Sequence, residues 1–142
     1  MQLYPIFKRV FDILSSSIVL VVLLPFLIIL MIVLRFTGEG EIFYKQERIG
    51  KENKPFNMLK FATMLKGSLN MPLGTTTIVN DPRVTRVGKI LRKTKINELP
   101  QLFNVILGGI SIVGPRPLPN NEFQLYHPDV QQVLASIRPG IT

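Results

Sequence analysis

Hydrophobic and polar positions divide this chain into two unlike parts. From Val10 to Leu34 the sequence is nearly all apolar. Asp12 is the only charge in that run, and Ser15-Ser16-Ser17 follow it. The uninterrupted part, Ile18 to Leu34, approaches the roughly 20 residues that cross a bilayer as a helix. Lys8 and Arg9 stand before it and Arg35 after it. A signal peptide shares the basic start, but no small-residue cleavage site follows this run. Soluble core helices are seldom so uniformly apolar. Pro25 lies inside the run, where proline removes a backbone hydrogen bond and kinks a helix. Cations on both flanks do not favour a one-way crossing. A kinked hairpin entering and leaving by the cytoplasmic face reconciles these facts; a simple kinked span fits the pattern equally. The expected organisation is a membrane-embedded anchor over residues 1–36, with a break at Pro25, and a cytoplasmic domain over residues 37–142.

Beyond Arg35 the pattern shortens. Gly38 and Gly40 mark a loop, Ile42 to Ile49 a strand, Gly50-Lys51-Glu52-Asn53 a turn, and Pro55 to Phe61 a returning strand. Residues 66–80 have little periodicity and are expected as a surface loop. Asp81-Pro82 is the expected start of a helix. Its apolar side is Val84, Val87, Ile90 and Leu91; its basic side is Arg83, Arg86, Lys89, Arg92 and Lys93. A further helix is expected with Asn97 as N-cap and Pro100 in its first turn. Leu99, Leu102, Phe103 and Ile106 recur at helical spacing, and Gly108-Gly109 ends it.

Composition narrows the chemistry. The 142 residues carry no Cys and one His, His127. Disulfides and thiolate metal sites are excluded, and His-based zinc sites or Ser-His triads are disfavoured. A formal charge of +8 calls for a negative partner: nucleic acid, anionic lipid or a phosphorylated substrate. There is no helix-turn-helix, zinc or RNA-binding signature, which argues against nucleic acid. The helix start at Asn97-Glu98 offers backbone N–H groups, a carboxylate and neighbouring Arg and Lys. That combination suits a phosphate-bearing ligand and a divalent cation.

These residues resemble the bacterial sugar transferases, the monotopic polyprenol-phosphate phosphoglycosyl transferases. The matching pieces are Lys8-Arg9-Val10-Phe11-Asp12, the run broken at Pro25, and Phe43-Tyr44-Lys45-Gln46-Glu47-Arg48-Ile49-Gly50. Lys60-Phe61-Ala62-Thr63-Met64 and Asp81-Pro82-Arg83-Val84-Thr85-Arg86-Val87-Gly88 follow. Then come Asn97-Glu98-Leu99-Pro100-Gln101-Leu102, Ser111-Ile112-Val113-Gly114-Pro115-Arg116-Pro117 and Arg138-Pro139-Gly140-Ile141-Thr142. The pieces lie in the family's order and cover almost the whole chain.

The resemblance implies an α+β fold: a re-entrant helix-break-helix anchor, then a small, mainly helical domain with a short β-hairpin. It implies transfer of a phospho-sugar from a nucleotide diphosphate sugar to polyprenol (undecaprenyl) phosphate, with Mg²⁺, at the cytoplasmic face of the bacterial inner membrane. That step starts a surface polysaccharide, and downstream glycosyltransferases are implied partners. An Asp-Glu pair does the chemistry in the family. Glu98 matches the Glu, and Asn97 stands where the Asp is expected. Both are the implied catalytic positions and Mg²⁺ ligands. Lys60, Arg92 and Arg116 match positions expected to hold phosphate or substrate, and Lys8, Arg9 and Pro25 belong to the membrane element.

The chain also departs from the family. Asn97 is a neutral amide, a poor nucleophile and a weaker Mg²⁺ ligand than carboxylate. Leu107-Gly108-Gly109 replaces the usual Lys-Gly-Asp. Leu24 replaces a Ser, and Ala62 replaces a basic residue. The resemblance further implies a C-terminal continuation beyond Thr142. Two other readings follow: a catalytically silent relative that binds polyprenol phosphate or a partner glycosyltransferase, and a membrane-anchored basic protein that binds anionic lipid.

Overall fold

A computed structural model of the chain describes residues 3–71, 77–78 and 80–141. Part of the expected loop at residues 66–80, and Thr142 of the final motif, lie outside the described residues. In the first element, α1 (Leu3–Phe36), 34 residues form one helix about 50 Å long at 1.5 Å per residue. In its most apolar window only 22% is buried, whereas the core helix of a soluble domain is mostly buried. Leu20, Leu27, Leu30 and Leu34 form its buried stripe, whereas Ile18, Val21, Val22 and Ile29 are exposed. A helix apolar all round with one covered stripe is suited to lipid on the rest of its surface.

The break expected at Pro25 is not an interruption, because the helix continues through it. Pro25 forfeits one bond, the one its missing N–H would make to Val21, and strong helix formers flank it on both sides.

The rest of the chain is β1 (Phe43–Ile49), β2 (Pro55–Phe61), α2 (Arg86–Lys93), α3 (Gln101–Leu107), α4 (Asn120–Phe123) and α5 (Pro128–Ser136). The strands pair as a two-stranded sheet, close to the bounds the sequence predicts. Their connection is a 3₁₀ turn, Lys51–Asn53, in which Glu52 and Asn53 take positive φ of 59° and 57°. Asn is among the side chains that tolerate this region best, which explains the polar turn sequence. The architecture is α+β, with a long apolar N-terminal helix.

Two compact units share these elements. The first comprises Met1–Leu23, Lys45–Leu59 and Pro100–Thr142. Its core holds Val105, Ile110, Met58 and Phe123. In α3, Asn104 bonds across to β2: its Oδ1 accepts from Leu59 N and its Nδ2 donates to Asn57 O, both at 2.8 Å. This side chain therefore replaces a missing third strand for two backbone groups. Gly108 ends α3 at φ 92°, a conformation that favours glycine. Against the hairpin turn packs α5.

The second unit comprises Leu24–Tyr44 and Lys60–Leu99. Leu27, Leu30, Leu34, Phe61 and Leu91 are its buried apolar residues, and Phe43 stacks on Phe61 at 5.5 Å. Here the expected helix start is corrected. Asp81-Pro82 does not open α2; Thr85 does, its Oγ1 accepting from Gly88 N at 2.9 Å. Arg83 is likewise not on a solvated basic face. It is buried, donating through Nε and Nη2 to Asp81 at 2.9 and 2.7 Å and through Nη1 to Ser68 O at 2.9 Å. Asp81 is engaged by Arg83 and so is not available as a cap.

The Arg83 hydrogen bond holds the Asp81 carboxyl well below its ordinary value of 3.8, against the opposing effect of burial. A depressed carboxylate contributes stability above its unfolded pKa and loses it as pH falls below. Asp81→Asn should therefore lower the melting temperature at pH 7. The gap to the parent should stay constant from pH 8 to 5 and close below about pH 4, as thermal melts at graded pH will report.

Candidate functional site

After α2 the chain turns sharply. Lys95 sits at φ 61°, and Ile96–Glu98 forms one 3₁₀ turn against which α2 packs. Glu98 N bonds to Lys95 O at 3.0 Å and Leu99 N to Ile96 O at 3.1 Å. This corrects the expected cap: Asn97 lies inside the turn, and Pro100 holds the N-cap position of α3. With seven residues, α3 is a short helix.

Asn97 is buried, and its Oδ1 has no hydrogen-bond partner among the described residues. Such an oxygen is costly unless something fills the position. Glu98 is partly exposed, with its Oε1 4.0 Å from Lys60 Nζ near the end of β2. That is the long limit of an ion pair, leaving the carboxylate accessible. Arg92 lies on the last turn of α2. Its Nε donates to Thr63 Oγ1 at 2.9 Å and its Nη1 to Thr77 Oγ1 at 3.4 Å. Burial lowers its pKa, with Asp81 opposing; an arginine nonetheless keeps its charge. Lys60, Arg92, Asn97 and Glu98 thus belong to one unit.

Pro25 belongs to the same unit, whereas Lys8, Arg9 and Arg116 belong to the first. Arg116 is exposed beside an open pocket of about 270 Å³, bordered by Ile49, Pro117, Phe123 and Leu134. Lys8 and Arg9 are engaged by the protein. Arg9 donates to Val105 O at 2.6 Å and Ile106 O at 2.9 Å, satisfying the last carbonyls of α3. Lys8 donates to Ser111 Oγ at 2.6 Å and Val113 O at 3.0 Å. The sequence pattern did not reveal these bonds, nor the Thr63 and Thr77 partners of Arg92. Asp12 as the lone charge of an apolar run was the available signal.

Among the described residues no three His, Asp or Glu side chains form a metal cage. The donors at the turn are one carboxylate, Glu98, and one unpartnered amide oxygen, Asn97 Oδ1. Mg²⁺ is commonly held by one or two carboxylates, with waters and substrate phosphates completing the octahedron. The residues present fit that pattern.

The sequence profile of the bacterial sugar transferases matches residues 3–142, and the chain belongs to that family. It is 40% identical over 149 residues to the exopolysaccharide production protein ExoY of Rhizobium meliloti (strain 1021), covering 95% of this chain and 66% of the relative. It is 37% identical over 139 residues to the UDP-glucose:undecaprenyl-phosphate glucose-1-phosphate transferase of Klebsiella pneumoniae, covering 96% and 30%. It is 38% identical over 149 residues to the undecaprenyl-phosphate galactose phosphotransferase of Salmonella typhimurium, covering 95% and 31%. The chain thus spans between 30% and 66% of the length of these relatives.

Gly88 sets where Arg92 can reach. A Cβ at Gly88 would overlap the backbone of Thr63, so α2 lies as close to the segment that follows β2 as glycine allows. Gly88→Ala should push α2 outward, costing about 1–3 kcal/mol of stability. A lower melting temperature, together with loss of the Arg92–Thr63 bond in a structure of the variant, will verify this.

Proposed function

We propose that the chain transfers a phospho-sugar from a nucleotide diphosphate sugar to a membrane polyprenol phosphate, the first membrane step of a surface polysaccharide. The observation that carries this reading is the 3₁₀ turn that pairs an accessible Glu98 carboxylate with an unpartnered Asn97 oxygen. Membership of the sugar transferase family and the names of the Klebsiella and Salmonella relatives support it. In this reading Arg92 holds phosphate oxygens through its planar guanidinium group, and Arg116, in the first unit, is taken by itself as a diphosphate ligand. Lys60 orients Glu98 and adds positive charge for an incoming phosphate. Glu98 and Asn97 Oδ1 would hold Mg²⁺, which when bound would neutralise charge on the diphosphate.

Membrane placement belongs to the same reading. Lys8 and Arg9 precede the apolar run and Arg35 follows it, which does not favour a one-way crossing. Pro25 removes one backbone bond in the middle of α1, where a kink would let a re-entrant helix return to the cytoplasmic face. Single cysteines at Gln2 and Glu39 should both resist labelling by an impermeant thiol reagent in intact cells. Labelling of one of the two would contradict the re-entrant reading.

Asn97 favours a second reading, a silent relative that binds the lipid phosphate or a partner glycosyltransferase. An amide carries no anionic oxygen with which to attack phosphorus. A panel of nucleotide sugars with undecaprenyl phosphate and Mg²⁺ separates the two. The leading reading expects a lipid-linked phospho-sugar from at least one donor. Binding of donor or lipid without product supports the silent relative.

A further inference from the structure

The apolar helix carries one buried carboxylate, Asp12, and it faces a hydroxyl far along the chain. Ser111 Oγ donates to Asp12 Oδ2 at 2.6 Å and accepts from Lys8 Nζ at the same distance. Asp12 and Ser111 are 3% and 1% exposed, so water is not at hand to replace either partner. The charges of Lys8 and Asp12 compensate each other through one hydroxyl, which makes all three groups interdependent.

This network grips the segment that leads to Arg116. Lys8 also holds Val113 O at 3.0 Å. On the other side of the segment, Ser111 N bonds to Pro139 O at 2.7 Å and Gly140 N to Pro115 O at 2.9 Å. A Cβ at Gly114 would meet Arg138 O at 2.5 Å, so the two backbones are in direct contact. Just after Arg116, Pro117 O accepts from Arg48 Nη1 at 3.3 Å and Leu118 O from Ile49 N at 2.9 Å. Arg116 is therefore an exposed side chain on a backbone fixed from both ends, and one of the fixing groups comes from the membrane helix.

We propose that Asp12 and Ser111 are positioning residues for Arg116, so that docking of the anchor helix sets the place of a phosphate-binding guanidinium. The proposal rests on the reading of Arg116 as a diphosphate ligand. It requires an interaction that a simple stabilising contact lacks: the benefit of Asp12 and Ser111 to ligand binding must pass through Arg116.

A double-mutant cycle tests this on the full chain in lipid nanodiscs, with UDP-glucose as the titrated probe. Ser111→Ala and Asp12→Asn should each weaken binding by roughly tenfold, the effect of losing a charge-assisted bond. In an Arg116→Ala background neither should weaken it further, because coupled residues are not additive. Ser111→Thr, which keeps the hydroxyl, should bind more like the parent than Ser111→Ala does. Should Ser111→Ala fail to melt cooperatively, the isosteric Asp12→Asn completes the same cycle. Parent-like affinity in Asp12→Asn, or losses that add to that of Arg116→Ala, would overturn the positioning role and leave the diphosphate reading standing. Parent-like affinity in Arg116→Ala would remove the diphosphate reading, and the positioning role with it.

Discussion

A charge buried on an apolar helix must find a partner. Much of this structure follows from how α1 meets that demand. Arg9 is satisfied by the last carbonyls of α3, and Lys8 and Asp12 by Ser111 and its neighbours. These bonds join residues 96 to 105 positions apart. By binding Arg9, α3 has its C-terminal carbonyls neutralised at the end where cations are favoured. The same helix supplies Asn104, which completes the backbone of β2. In the first unit, therefore, the basic start of α1 is an internal fastening.

Local patterns were legible where a single periodicity governed them. The hairpin follows alternation and a polar turn, and the strands lie within a residue of expectation. The apolar run from Val10 to Leu34 lies within α1, but the helix extends beyond it at both ends and is unbroken at Pro25. What failed were starts and caps, where several side chains compete for the same backbone groups. Asp81 looked like a helix start but is taken by Arg83, so the cap falls to Thr85. Asn97 has a strong intrinsic cap preference, yet positive φ at Lys95 folds it into a turn of its own. The fastening of Lys8 and Asp12 was beyond reach, because nothing local to either residue reports Ser111. Of the site, the pairing of Lys60 with Glu98 joins two positions singled out from sequence motifs. The threonine partners of Arg92 depend on the approach of α2 over Gly88 and were not legible.

The turn at Asn97-Glu98 concentrates the functional question. Native proteins leave few buried polar atoms unpaired, and the exceptions call for a ligand, a strain or a chemical role. A neutral amide there is cheaper to bury than an unpaired carboxylate. The amide thus favours the resting fold while giving up the anionic oxygen that covalent phosphoryl transfer requires. Glu98 keeps a carboxylate beside it, but on a longer side chain, and a displacement of about 1 Å can cost on the order of a hundredfold in rate.

The most direct measurement is the intact mass of the protein after incubation with UDP-glucose and Mg²⁺ in the absence of lipid acceptor, for the parent and for Asn97→Asp. If the turn is the chemical centre, the Asp variant will gain one phospho-sugar with release of UMP, mapped by peptide analysis to the Ile96–Leu99 turn and in larger amount than in the parent. A parent that acquires the same adduct elsewhere in the chain would contradict the account.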